Sequence, residues 1–472
     1  MILKKHLPLG AKYFAILGLV ALPIIGVAHA HQHQAKAVKA EKVEKVEKLT
    51  PIHHHTTLKS HPKLGGVASF NYSFDDTGVN KVRDARKYGD WRFQSFRLNV
   101  GGEVSAVDYF VEYGWFRNRL INFISTNDPA TYGHFTEAYA AHKFSNGVVG
   151  QIGNTKVPFG NSHELTYWRN IPFYAGFAEN YQTGLKMVYC NCPWNVQVQL
   201  GKNSLVNANN AASYFPKVTT GVYNQFTSGA TTNTYNTSSN NYSQNNEDGL
   251  QVAARVTHTH HFKDNYKVEV GLSGKVGSLY NTVSTSRATQ WAGALHVNAY
   301  FDKFFVQLQY LPYRYATNYA DQVDNGLDAP YIKDTIQLGK DGVLYTIPTK
   351  ANIFAAGLGY NIPVSWGHVK EVTVYDDYSI LSGKLTKKNT KLNVFGFKFN
   401  AGPLFVTAEA ITGKNMVGVG QDLLPNKFPN VYNIGGSGTS AYGVDPNTFA
   451  NYASDNTDHW KTKFNINIAI KF

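Results

Sequence analysis

The stretch Trp460–Phe472, WKTKFNINIAIKF, alternates along its whole length. Trp460, Thr462, Phe464, Ile466, Ile468, Ile470 and Phe472 form one set, all apolar except the threonine. Lys461, Lys463, Asn465, Asn467, Ala469 and Lys471 form the other, polar except the alanine. A period of two over thirteen residues belongs to an extended strand, because a helix of 3.6 residues per turn cannot hold it. The length suits a tilted membrane strand, with the greasy set facing lipid and the polar set facing a lumen.

Working back along the chain, the same pattern returns in pairs. Val252, Ala254 and Val256 alternate with Gln251 and Arg255. After a turn near Asn265 come Tyr266, Val268, Val270 and Leu272, with Lys267, Glu269 and Ser273 between. Leu295, Val297, Ala299 and Phe301 lead through Asp302 and Lys303 to Phe304, Val306, Leu308 and Tyr310. Leu185, Met187 and Tyr189 precede Trp194, Val196, Val198 and Leu200. The connections 203–247, 313–350 and 414–459 are long and rich in Asn, Thr, Ser and Gly, whereas the alternate turns are short. That asymmetry, with aromatic residues at strand ends, is expected of an outer-membrane barrel and not of a soluble sandwich. Closure also removes the unpaired edges that so many strands would expose. The fold class expected is therefore all-β: a transmembrane antiparallel barrel over residues 63–472.

Composition agrees. The chain has 472 residues, 14% aromatic and only 16% charged, with 41 Gly and a formal charge of +13. Two cysteines exclude a disulfide framework and a multi-Cys zinc scaffold. Phosphate-loop, HExxH and CxxCH motifs are missing, so no cofactor or metal is expected. GxSxG is missing too, which disfavours an outer-membrane hydrolase. An adhesin or partner-binding sheath, using the Asn/Thr-rich loops, stays as an alternative. Basic charge spread over strands, with no recognition helix, argues against nucleic acid.

The N-terminus supplies an address. Lys4, Lys5 and Lys12 precede an apolar stretch from Tyr13 to Val27, and Ala28-His29-Ala30 fits the small-x-small cleavage rule. Residues 1–30 are expected to be a secretory signal peptide, too short in its apolar part for a spanning helix. Residues 31–62 read as a charged His/Lys/Glu-rich linker or short helix. His31, His33 and His53 to His55 lie there with no fixed metal geometry.

Several stretches between Leu98 and Tyr189 resemble the phosphate-selective porin O and P family. They are Phe96–Gly102 (FRLNVGG), Asp108–Tyr113 (DYFVEY), Thr136–Tyr139 (TEAY), Gly150–Gly160 (GQIGNTKVPFG) and Tyr167–Phe173 (YWRNIPF). The resemblance implies a 16-stranded, trimeric outer-membrane barrel that passes small anions by diffusion. It also implies that the segment after GQIGNTKVPFG folds inward to narrow the pore. A terminal aromatic such as Phe472 is likewise similar to the assembly signal read by the barrel-assembly machinery. The partners expected are outer-membrane lipids, small inorganic anions and two further copies of the chain.

Within that frame Lys156, His163, Tyr167, Arg169 and Tyr174 are the candidates for an anion-binding constriction: cations attract, and hydroxyl and imidazole groups donate hydrogen bonds. By strand parity Arg97, Lys186, Arg255, Lys267, Lys275, Lys461, Lys463 and Lys471 should line the lumen, where rings of cations favour anions. Pairing with Glu103, Glu112 and Glu269 is the alternative use of these charges. Only ten of the 45 basic residues are arginine. Lysine, a strongly hydrated point charge, gives a diffuse anion preference more readily than a two-pronged phosphate grip. Cys190 and Cys192, flanking Asn191, are expected to form a small-loop disulfide in an oxidising compartment.

Overall fold

The computed structural model describes residues 62–75, 90–117, 131–145, 147–161, 165–203, 246–263, 265–281, 286–316, 335–340, 343–383, 389–416 and 460–472, with short pieces at 217–218, 222–224, 241–243, 419 and 436–437. The expected signal peptide, nearly all of the 31–62 linker and His163 lie outside the described residues.

Sixteen strands close into one antiparallel barrel. They are β1 (Lys63–Asp75), β2 (Asp90–Val104), β3 (Val107–Arg117), β4 (Thr131–Lys143), β5 (Val148–Lys156), β6 (Tyr181–Asn191), β7 (Trp194–Asn203) and β8 (Asn246–Lys263). The second half continues with β9 (Tyr266–Asn281), β10 (Arg287–Phe301), β11 (Phe304–Tyr315), β12 (Lys350–Trp366), β13 (Val369–Gly383), β14 (Thr390–Ala401), β15 (Leu404–Lys414) and β16 (Lys461–Lys471). Each strand pairs with its neighbours in sequence, and β1 pairs with β16 at the seam, Phe70 opposite Ile468. Closure satisfies every strand edge, the condition for a sheet to sit in hydrocarbon.

The alternation read from the sequence is the alternation of faces. In β16, Phe464, Ile466 and Ile470 are exposed on the outside, whereas Lys463, Asn465 and Asn467 are buried inside. In β9 and β10 the outer face carries Val270, Leu272, Val276 and Leu295, all exposed. Asp376 shares the outward parity of its register partners Leu358 and Phe395, and its carboxylate accepts a hydrogen bond from Asn393 Nδ2 at 2.8 Å. Exposed aromatics gather toward both ends: Tyr189, Trp194, Phe304, Tyr360 and Trp366 near the short turns, Trp91, Trp291 and Trp460 near the long loops. Aromatic rings prefer these lipid–water boundaries.

Leu272 is 65% exposed at mid-strand. Leu272→Lys is therefore expected to cost about 2–4 kcal/mol, the price of a cation at the bilayer midplane. Equilibrium unfolding in lipid vesicles measures it, and a cost near zero would place that face in water.

At the seam, the Phe472 ring covers Gly66 and stacks on Phe96 at 6.0 Å between centroids. Its backbone trades hydrogen bonds with Gly66, N to O at 3.1 Å and O from N at 2.8 Å. A side chain at position 66 would collide with that ring.

The interior is not uniformly polar. Toward the loop end, inward positions of β9 and β11–β15 carry Leu279, Leu311, Ile353, Leu381, Leu392, Val394 and Ile411. These join one apolar cluster with a segment from within the barrel, which strand parity alone does not reveal.

Candidate functional site: an inward loop braced across the lumen

That segment is residues 157–161 and 165–180, between β5 and β6. Val157 N donates to Asn180 O at 2.8 Å and closes its base. Pro158 and Pro172 stiffen it, and left-handed backbone at Gly160 (φ 65°) and Gly176 (φ 78°) turns it at positions where glycine is unstrained. One short helix, α1 (Ile171–Tyr174), has Pro172 in its first turn, where the missing N–H is harmless. Phe159, Trp168, Ile171, Phe173, Tyr174 and Phe177 are all buried. A loop this aromatic cannot lie in water cheaply, and the apolar inner wall gives it a seat.

The loop is fastened at successive points to different walls. On β8 and β9, Arg255 Nε donates to Gly160 O at 3.0 Å and Ser273 Oγ accepts from Gly160 N at 2.8 Å. On β11, Gln309 Oε1 accepts from Asn161 N at 2.7 Å. On β13, Ser379 Oγ accepts from Ile171 N at 3.1 Å. On β14, Lys398 Nζ donates to Leu165 O at 2.9 Å. On β15, the Glu409 carboxylate accepts from Tyr167 N at 2.6 Å and from Trp168 N at 2.9 Å, and also from the Tyr375 hydroxyl at 2.8 Å. On β16, the Lys463 ammonium sits 4.7 Å from the Trp168 ring centroid.

Against this geometry the constriction candidates divide. Lys156 ends β5 opposite Tyr181, where the chain leaves the wall. Tyr167 is half-buried and touches Glu409 through its backbone. Arg169 is not an open anion ligand. Its Nε and Nη2 meet Glu179 at 3.1 and 3.2 Å, and its Nη1 donates to Thr166 O at 3.0 Å. Tyr174 is likewise part of the loop's interior, its hydroxyl donating to Trp168 O at 2.9 Å. Both are committed because a loop with so few regular hydrogen bonds must satisfy its polar groups internally.

The lumen cations also have defined neighbours. Arg97 lies 3.5 Å from Glu112. Lys186 donates to Lys156 O at 3.0 Å. Arg255 meets Glu269 at 3.3 Å, and the same carboxylate oxygen receives His296 at 3.3 Å and Asn298 at 3.1 Å. Lys267 lies over the Tyr300 ring at 4.7 Å. Lys275 lies over Phe177 at 4.6 Å and Phe159 at 5.7 Å, and Lys471 over Phe405 at 5.4 Å. Lys461 is partly buried one inward step above Lys463. Several cations expected to attract solute thus hold the loop instead, through ring faces and carbonyls.

Sequence reading missed Glu409, Lys398 and Ser379. The only signal for Glu409 was a carboxylate at an inward position of LFVTAEAITGK, next to inward Ile411. Cys190 and Cys192 are free, exposed thiols, not a disulfide. Cys190 continues the extended β6 opposite Asn195, and Cys192 lies in the turn beyond it, so the backbone does not fold the two thiols together.

The fold is a closed, sixteen-stranded antiparallel barrel with an apolar exterior. No family model matches the chain, and no characterised protein matches it by sequence. Among solved structures it is similar to the outer-membrane channel DcaP of Acinetobacter baumannii, at 10% identity and TM-score 0.47 over 87% of this chain and 97% of that one. OmpF of Salmonella typhi, solved with daunomycin, is similar at 10% identity and TM-score 0.48, over 87% and 97%. OmpT of Vibrio cholerae, in a trimer form, gives 11% and 0.45, over 87% and 99%. With its apolar exterior, closed edges and loop asymmetry, this barrel belongs in the bacterial outer membrane.

Proposed function

We propose that the chain is a passive diffusion channel for small hydrophilic solutes with a weak preference for anions. The observation that carries this is the loop 157–180, folded into a polar-lined barrel of sixteen strands and braced on several walls. Barrels of this size leave an aqueous channel, and a fixed inward loop narrows it to solute dimensions. The anion preference rests on the lysine excess, with Lys186, Lys267 and Lys461 on inward positions of β6, β9 and β16. It is weak because Arg97, Arg169 and Arg255 each face a carboxylate, which leaves phosphate no two-pronged guanidinium grip at these positions. The homotrimer, the lipid setting and insertion by the assembly machinery follow the resemblance to the phosphate-selective porins.

In planar bilayers the purified protein is expected to form open channels whose reversal potential across a KCl gradient favours chloride. Phosphate, added as competitor, should reduce the chloride current only in proportion to its own mobility. The double substitution Lys186→Glu and Lys267→Glu should move the reversal potential toward cations. A protein that never conducts removes the channel reading, and an unmoved potential removes these lysines from it.

A further inference from the structure

The long connections at the loop end do more than join strands. Thr335–Lys340 and Val343–Pro348, both from the connection between β11 and β12, pair antiparallel with Ile336 opposite Ile347. Lys217–Val218, from the β7–β8 connection, adds to one edge of this hairpin, and Gly436–Ser437, from the β15–β16 connection, adds to the other. Three separate loops thereby share one four-stranded sheet.

Three apolar side chains of the hairpin are fully withdrawn from water: Ile336 and Ile347 are 0% exposed and Leu338 is 1% exposed. They belong to the same apolar cluster as Trp168, Tyr174 and Phe177 of the inward loop. The connection can be followed contact by contact. Phe177 packs on Tyr313 at 4.9 Å between ring centroids and on Tyr315 at 6.0 Å. The Tyr313 hydroxyl donates to Pro348 O at 2.9 Å, and Tyr315 N donates to Thr349 O at 2.7 Å.

We infer that the external hairpin 335–348 is a positioning element for the constriction: it packs the inward loop against the β11–β15 wall and so sets the size limit of the channel. The physical reason is burial. The loop's aromatic side needs a dry surface, and the barrel wall alone leaves the outer half of a wide lumen open to water. The hairpin supplies the missing cover. Loosening it wets Phe177 and its neighbours and lets the loop leave its seat.

This inference rests on the channel reading, and the experiment separates the two. Single-channel conductance and the exclusion limit for polyethylene glycols of graded size are measured for the full chain, for Ile336→Asn with Ile347→Asn, and for a variant with 335–348 replaced by a short Gly-Ser link. Ile336→Leu with Ile347→Val is the conservative control. Both disruptive variants should show higher conductance and an exclusion limit shifted to larger polymers, and the conservative pair should restore the parent values. Heat-modifiable gel mobility checks that each barrel is closed, and the link variant keeps the test alive if the asparagine pair fails to fold. A conducting parent whose exclusion limit is unchanged in both closed-barrel variants overturns the positioning role. A parent that does not conduct overturns the channel itself.

Discussion

Glu409→Ala is expected to raise the channel's conductance and its current noise while leaving the barrel closed. The Glu409 side chain lies on β15 at 3% exposure and holds three donors at once: two successive backbone N–H groups of the inward loop and the Tyr375 hydroxyl. Alanine strips all three of their acceptor in a site where water is scarce. A hydrogen bond to a charged group contributes about 1.5–3 kcal/mol, so losing two at the loop removes several kcal/mol of seating. The barrel's own ladder is untouched, because β15 pairs with β14 and β16 through its backbone. Glu409→Gln keeps one carbonyl oxygen but turns a second acceptor into a donor facing Tyr167 or Trp168 N–H. Its conductance should fall between parent and alanine. Planar-bilayer recordings decide the matter: traces indistinguishable from the parent in the alanine variant would mean that Glu409 does not anchor the loop.

Gly153→Ala should instead damage the barrel. Gly153 lies in β5 opposite Tyr139 and Gly184, three residues before the strand ends at Lys156. Its φ of 134° is a conformation that L side chains rarely adopt, and an added Cβ would collide with the Ala138 carbonyl oxygen of the neighbouring strand. Such backbone strain costs about 1–3 kcal/mol. The collision is with backbone and cannot be relieved by a rotamer change, which adds about 1–3 kcal/mol of overpacking. The expected readout is a lower urea midpoint for the folded barrel in vesicles and a smaller fraction that resists heat on gels. An unchanged midpoint would show that β5 can flatten at this position without loss. The contrast with Glu409 is useful: one residue tunes what the pore passes, the other decides whether the wall forms.

Most of the wall was legible in the sequence. Period-two alternation in Trp460–Phe472, Gln251–Ser273 and Leu295–Tyr310 separates lipid-facing from lumen-facing side chains, because neighbouring residues on a strand must point to opposite faces. Turn and loop lengths fixed which end is which, and the resemblance of Gly150–Gly160 to the phosphate-selective porins implied that the chain turns inward after it. Local pattern could say that Lys275 and Lys463 point inward. It could not say that they end on Phe177 and on Trp168, or that Lys398 reaches Leu165 O, since those partners come from elsewhere in the chain.

The sequence by itself therefore determined a closed barrel, its two faces and which end carries the long loops, all consequences of a two-residue repeat under the demand that no edge meet lipid. Only the tertiary structure decided what fills that lumen. Inward-pointing Leu311, Ile353 and Val394 meet an aromatic loop, Arg169 is spent on Glu179, and Glu409 becomes an anchor. The reason is range: a strand's facing depends on its own φ and ψ, whereas a brace across the barrel depends on which distant segments the closed wall brings to the same place.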